Sequence, residues 1–215
     1  MGRPARQPAA AALRPRKAPA QARSAVTVEA ILEATLQVLQ QTGFHQLTTT
    51  RVAERAGVSV GTLYQYYPNK RALLAAVLQA HLGEVVEAVE AACRAHEGAT
   101  LRAMVVALTD AFVEAKTRRV EVSLALYAPA GEAQGQELVR LMMMRAHAAV
   151  SRMLGSASDA RLADTALPAF FLLTGAVGAV QGVLEAGAAP PLVQALRLHL
   201  AEMGCGHLER LAGPR

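Results

Sequence analysis

Apolar residues recur at the three-to-four residue spacing of helices over most of the chain, and no segment alternates apolar and polar residues as a strand does. An all-α fold follows. Val28 to Thr42 reads as a first helix: Thr27 can cap it, Glu29 favours the positive end of its dipole, and Ile31, Ala34, Thr35 and Val38 share one face. Gly43 supplies the exit. Thr48 opens a second helix that turns Val52, Ala53 and Ala56 inward, and Gly57 ends it in the left-handed conformation a helix exit needs. Val58 is an apolar plug, and Ser59 caps a third helix from about Val60 to Tyr67, barely two turns long. Pro68 stops that helix, and Asn69 caps a fourth that runs from Lys70 to about Ala95, where Gly98 closes it.

Helices near Thr100 to Arg119 and Val120 to Ala128 follow, then a loop from Pro129 to Gly135, then a helix from Gln136 to Leu154. Two more segments, Leu162 to Ala186 and Pro191 to Leu211, meet at Gly187 and the Pro190-Pro191 pair, a junction suited to antiparallel helices. Within the first of these, Thr165 to Leu184 carries no charge and has the length of a membrane span. Pro168, Thr174, Gln181, the glycines, and the want of a second apolar span or a basic flank argue instead for a buried helix. Gly175, Gly178 and Gly182 would let another helix come close.

Charge divides the chain. Up to Leu74 there are ten Lys or Arg against Glu29, Glu33 and Glu54, while the remainder has twelve against fourteen acidic residues. Such asymmetry points to a polyanion partner for the N-terminal part. Residues 1–24, rich in Ala, Pro and Arg, read as a disordered basic arm without the apolar segment of a secretory signal. Cys93 and Cys205 are too far apart in sequence for a metal-ligand pair, so neither a disulfide framework nor a metal site is implied, and a reducing cytoplasm fits. The histidines His81, His96, His147, His199 and His207 have no nucleophile at a recognisable spacing, and Glu84, Glu87 and Glu90 read as a solvated stripe. Enzyme chemistry and a cofactor are both unsupported.

The second and third helices with Gly57 between them have the spacing of a helix-turn-helix, the unit that places a helix in the major groove of DNA. Around the third helix, Leu63 and Tyr67 point inward with Val60 beside them, Gly61, Thr62 and Gln65 point outward, and Tyr64 and Tyr66 lie on the flanks. Gln65 suits an adenine edge, Thr62 a thymine methyl, Gly61 close backbone approach, and the tyrosines phosphates. Lys70 falls in the first turn of the fourth helix, where free amides already favour a phosphate.

Gly57-Val58-Ser59, Gly61-Thr62-Leu63-Tyr64 and Tyr67-Pro68-Asn69-Lys70-Arg71-Ala72-Leu73 resemble the DNA-binding domain of tetracycline-repressor-like (TetR family) regulators over residues 27–74. Arg71 departs from the glutamate frequent there. The resemblance implies a helix-turn-helix domain over residues 25–74, a helical effector-binding and dimerisation domain over residues 75–215, and a homodimer on a palindromic operator in double-stranded DNA. Carried over by position, the DNA contacts would be Thr49, Ser59, Val60, Gly61, Thr62, Tyr64, Gln65, Tyr66 and Lys70. The last two helices would pair between protomers through Phe171, Gly175, Gly178, Gly182, Leu196 and Leu200. An effector pocket would draw on Met104, Leu108, Phe112, Leu126, Tyr127, Met143, Phe170 and Phe171, with Met142 and Met144 as further adaptable lining. The effector is an unidentified small molecule. The rival readings are an architectural DNA-binding protein of the same fold without an effector, and a membrane-associated helical protein.

Overall fold

A computed structural model describes residues 17–213, and they are almost wholly helical. Helix α1 (Lys17–Gln46) starts earlier than the pattern predicts, so Thr27 lies inside it and the arm expected over residues 1–24 is helical from Lys17 onward; residues 1–16 lie outside the described residues. The physical reason is composition. Ala18, Ala20 and Ala22 are strong helix formers, and Pro19 sits in the first turn, where a missing amide removes no bond. Gly43 interrupts α1 at φ 75°, as the exit glycine predicts.

The three helices of the N-terminal head are fixed by their caps. Thr48 Oγ1 accepts from the Arg51 amide at the start of α2 (Thr49–Ala56), and Gly57 closes it at φ 68°. Ser59 Oγ accepts from the Thr62 amide and opens α3 (Val60–Tyr66), while Asn69 Oδ1 accepts from the Ala72 amide and opens α4 (Lys70–Ala95). The head closes on Ile31, Leu39, Leu47, Val52, Leu63 and Leu73, all almost fully buried. Its core reaches beyond Leu74 to Val77 and Leu78 of α4, and across to Val122 and Leu126.

The C-terminal part consists of α5 (Leu101–Thr117), α6 (Val120–Ala125), α7 (Tyr127–Gly131), α8 (Ala133–Gly155), α9 (Ala166–Glu185) and α10 (Pro190–Leu211). The loop expected from Pro129 to Gly135 is therefore mostly helix. Pro129 occupies the first turn of α7, where it breaks no backbone bond, and Glu132 alone links α7 to α8. Helix α4 packs against α5 and α8, and α10 against α5 and α9, around Val89, Met104, Val113, Val150, Met153, Leu184 and Leu208. Two residues each from 161–162 and 212–213 form a short antiparallel ladder that ties the end of α10 to the start of the α9 segment.

Helices α4 and α9 are both long and apolar enough to cross a membrane, so the expectation of a single apolar span is corrected. In α4 the apolar residues are divided between two cores, which is why its hydropathy is high. The close helix approach expected at Gly175, Gly178 and Gly182 is not made within the chain, since a Cβ on any of them would meet nothing within 4 Å. Gly204 makes it instead. A Cβ there would lie 2.7 Å from Val105 Cγ1 and 3.0 Å from Leu172 Cδ2, where α10 presses on α5 and α9. Gly204→Ala should cost about 1 to 3 kcal/mol by overpacking. Gly83→Ala, in open space within α4, should stabilise by up to about 1 kcal/mol through helix propensity. Urea unfolding of the two variants checks both signs.

Candidate nucleic-acid interface and inner cavity

The turn between α2 and α3 is built by backbone bonds that only a left-handed residue permits: the Gly57 amide donates to Glu54 O (3.2 Å) and the Val58 amide to Ala53 O (3.0 Å). Leu63 is then driven into the head's core with no exposure, and the opposite side of α3 is turned to solvent. Gly61 and Gln65 are exposed, and the Gln65 amide makes no side-chain hydrogen bond to any described residue. Val60, expected beside the inward pair, is exposed too, because it stands at the first position of the helix, ahead of the core contact.

The hydroxyls around α3 hold one another. Ser59 Oγ lies 2.8 Å from Thr62 Oγ1, and Thr49 Oγ1 lies 3.1 Å from the Tyr64 hydroxyl, which joins α2 to α3 at the surface. Tyr66 faces the other way: its hydroxyl donates to Ser24 Oγ of α1 (3.2 Å) from a half-buried position. Lys70 Nζ donates to Phe44 O (2.6 Å) and His45 O (3.4 Å), satisfying carbonyls at the end of α1. Its ammonium has three donors, so one remains for an outside acceptor.

A partly open cavity of about 1040 Å³ lies between α4 and the helices of the C-terminal part. Phe112, Leu126, Tyr127, Met143 and Phe170 line it as expected, and so do Met142 and Met144. Three expected residues do not. Met104 is fully buried in the packing of α5, Leu108 faces the contact of α5 with α9 and α10, and Phe171 points away from the cavity to stack edge-on with His207. Among the lining residues the sequence reading missed are Leu78, His81, Val85 and Val89 of α4 and Lys116 of α5. The α4 residues had a signal, since they share one face at helical spacing, but a face of that kind reads as ordinary core.

His81 is buried where α4 passes the cavity. Its Nε2 is 3.4 Å from Ser123 Oγ, which itself donates to Lys116 O (2.8 Å). Burial, reinforced by the positive charges of Lys116 and Arg119, pushes the imidazole pKa down to about 4, so the ring is neutral at ordinary pH. Burial likewise pushes Lys116 down to about 8. The Cys93 thiol is raised to about 11, chiefly by burial, and the Cys205 thiol is raised as well, which makes both poor nucleophiles.

A third surface is apolar and open. Leu167, Phe171, Leu198 and Met203, at 57%, 55%, 59% and 71% exposure, stand on α9 and α10 with the exposed Gly175, Gly178 and Gly182. Leu196 and Leu200, expected on this face, pack inward instead. They fall on the side of α10 that meets α5 and α9, two turns and one turn ahead of the core residue Gly204.

Comparison with known proteins places both parts. A profile of bacterial regulatory proteins of the tetR family matches residues 31–77, and one of the tetracyclin repressor-like C-terminal domain matches residues 100–208. The fatty acid metabolism regulator protein of Bacillus subtilis (strain 168) is 33% identical over 60 residues, 28% of this chain and 31% of that protein. The tetracycline repressor protein class C of Escherichia coli is 46% identical over 54 residues, 25% of each. The matches thus span about a quarter to a third of these curated relatives. The structure of the transcriptional regulator FadR from Bacillus subtilis in complex with stearoyl-CoA shares the fold, with a TM-score of 0.68 at 18% identity over 82% of this chain and 96% of that one.

The neutral His81 has a consequence for stability. Its folded pKa of about 4 lies below the ordinary 6.5, so between those values the unfolded chain binds the additional proton. The contribution is fully present above pH 6.5 and is lost as pH falls toward 4, at about 1.4 kcal/mol per pH unit. Thermal or urea unfolding across pH 4 to 7 should show this slope, and His81→Leu should flatten it.

Proposed function

This chain belongs to the tetR family of bacterial regulatory proteins, and from that premise we propose that it is a homodimeric repressor that reads a palindromic operator and leaves it when a small molecule fills the inner cavity. DNA-binding regulation of transcription is the family's work; the repression, the dimer and the release are our reading. One observation carries it. Leu78 and Leu126 belong to the core of the helix-turn-helix head and also line the cavity, so an occupant that contacts them touches the packing that orients α3. A ligand that favours one head orientation over another shifts operator binding by its differential affinity for the two.

In this reading Gln65 reads a base edge, Gly61 admits the DNA backbone, and the paired hydroxyls of Thr49 and Tyr64 meet phosphates together. Ser59 and Thr62 hold the start of α3 in place, Val60 adds an apolar contact, Tyr66 fixes α3 to α1, and Lys70 offers its remaining N–H to a phosphate. Two such heads must sit about 34 to 36 Å apart to enter successive major grooves. The exposed apolar face of α9 and α10 supports the dimer that sets this distance, since solvent contact with so many large apolar groups is costly. The cytoplasm, where the DNA is, is the proposed location.

Gln65→Ala should relax preference at one base position by about 1 to 3 kcal/mol of discrimination. Gly61→Ala should leave the fold intact, because its Cβ would meet only Ser59 Oγ at 3.8 Å, yet weaken binding to every sequence. Binding of fluorescent DNA selected from random fragments, and of its single-base variants, separates the two patterns. Uniform loss for Gln65→Ala would remove its role in readout, and failure to select any DNA would defeat the proposal.

Gly178→Leu should shift the assembly toward monomer while helicity is kept, because the added side chain has open space in the single chain and none in a close pair of helices. Equilibrium sedimentation reads this directly. A variant that stays dimeric at nanomolar concentration places the interface elsewhere.

A further inference from the structure

The inner cavity is apolar over most of its wall, through residues such as Val85, Val89, Phe112 and Leu173 and the methionines of α8. Its charged groups are all of one sign. No Asp or Glu occurs among the lining residues, whereas Lys116 and Arg140 do. Arg140 is already matched, since its guanidinium donates twice to Glu137, at 2.6 and 2.8 Å, on the exposed side of α8. Lys116 is not matched. Its Nζ stands 5.2 Å from the centre of the Tyr127 ring, and no carboxylate among the described residues lies within ion-pair reach of it.

The groups around Lys116 sharpen this. His81 from α4 is neutral, Ser123 from α6 is occupied with the Lys116 carbonyl, and Arg119 ahead of α6 is paired with Glu33 of α1 at 3.3 Å. Glu185 of α9 acts on Tyr127 and is engaged by the Gln181 amide at 2.8 Å. His147 of α8 lines the cavity but is held to Ala166 O at 2.8 Å. An ammonium left without a counter-charge on the wall of a largely apolar chamber is costly unless something anionic arrives. A cationic guest would add to the repulsion, and a neutral one would leave the ammonium as it is.

We infer that the cavity takes a molecule with an apolar body and one anionic group, a medium- or long-chain carboxylate, with its head at Lys116 and its chain along α8 and α4. The size agrees, since about 1040 Å³ lies at the upper end of small-molecule sites. The inference rests on the reading of this cavity as the effector site. The partner charge also gives it a pH signature. Burial holds Lys116 at about 8, so the unliganded ammonium is lost as pH rises past that value, and with it the attraction for a carboxylate.

Calorimetry on the full chain tests this with saturated carboxylates of eight to sixteen carbons, the matching primary alcohols and the matching alkyltrimethylammonium ions, each below its micelle concentration. At least one carboxylate should bind tenfold or more tighter than its alcohol, and the ammonium compounds should not bind. Lys116→Met should remove that tenfold advantage while leaving alcohol binding unchanged, which shows that the cavity is intact, and Lys116→Arg should keep it. Between pH 7 and 9.5 the wild-type advantage should shrink and that of Lys116→Arg should not. Equal binding of carboxylate and alcohol, indifference to Lys116→Met, or no carboxylate binding across the series overturns the inference. Operator binding measured in parallel separates the two readings. A carboxylate that needs Lys116 but leaves DNA bound sustains this inference against the proposed release, and release by a neutral compound indifferent to Lys116 does the reverse.

Discussion

One helix is buried at both of its ends in two different cores, and the arrangement of the molecule depends on that. Leu73, Leu74, Val77 and Leu78 of α4 are sealed in the head, while Val85, Val86, Val89 and Cys93 are sealed in the C-terminal part. Each such side chain contributes about 1.5 to 3 kcal/mol when fully buried, so neither end can let go cheaply. The helix has 26 residues and is about 39 Å long. It therefore carries the head as a rigid arm. His81 stands between the two buried stretches, and the cavity opens where α4 passes from one core to the other.

A second path runs beside it. Val122 and Leu126 lie far along the chain from the head yet pack into its core, and the Arg119 guanidinium reaches Glu33 of α1 at 3.3 Å. That ion pair is exposed, so its worth is small and the apolar contact carries the connection. Together α4 and the α6–α7 segment grip the head from two sides. Rotation of the head must then alter the packing of Leu78 and Leu126, which also line the cavity.

The sequence made the head legible because its signals are local. Thr48, Gly57, Ser59 and Asn69 each act within three or four residues of their own position, and the structure places the predicted bond or conformation at each. The all-helical class was legible for the same reason, through periodicity alone. What the pattern did not give was partnership between distant helices. An apolar stripe says that a face is covered without saying by what, so Leu196 and Leu200 were expected to meet a second copy, whereas Leu196 is buried by its own chain and Leu200 partly so. The same ambiguity hid the α4 side of the cavity. Lys116 was invisible for a sharper reason, since a single lysine in an amphipathic helix is ordinarily solvated and only the fold shows it enclosed.

Energetic scale decides whether so small a shared contact can govern operator binding in the proposed mechanism. A tenfold change in affinity requires about 1.4 kcal/mol. Burial of one methylene is worth about 0.8 kcal/mol, so the repacking of roughly two methylene groups is enough. Leu78 and Leu126 together present several such groups to the cavity and to the head at once. A guest that touched neither residue would shift nothing by this route, however tightly it were held. Position within the cavity therefore matters more than affinity. Lys116 is on the side of the cavity that carries Ser123 and Tyr127, the residues flanking Leu126, so a guest drawn to its ammonium is also placed against the contact that leads to the head.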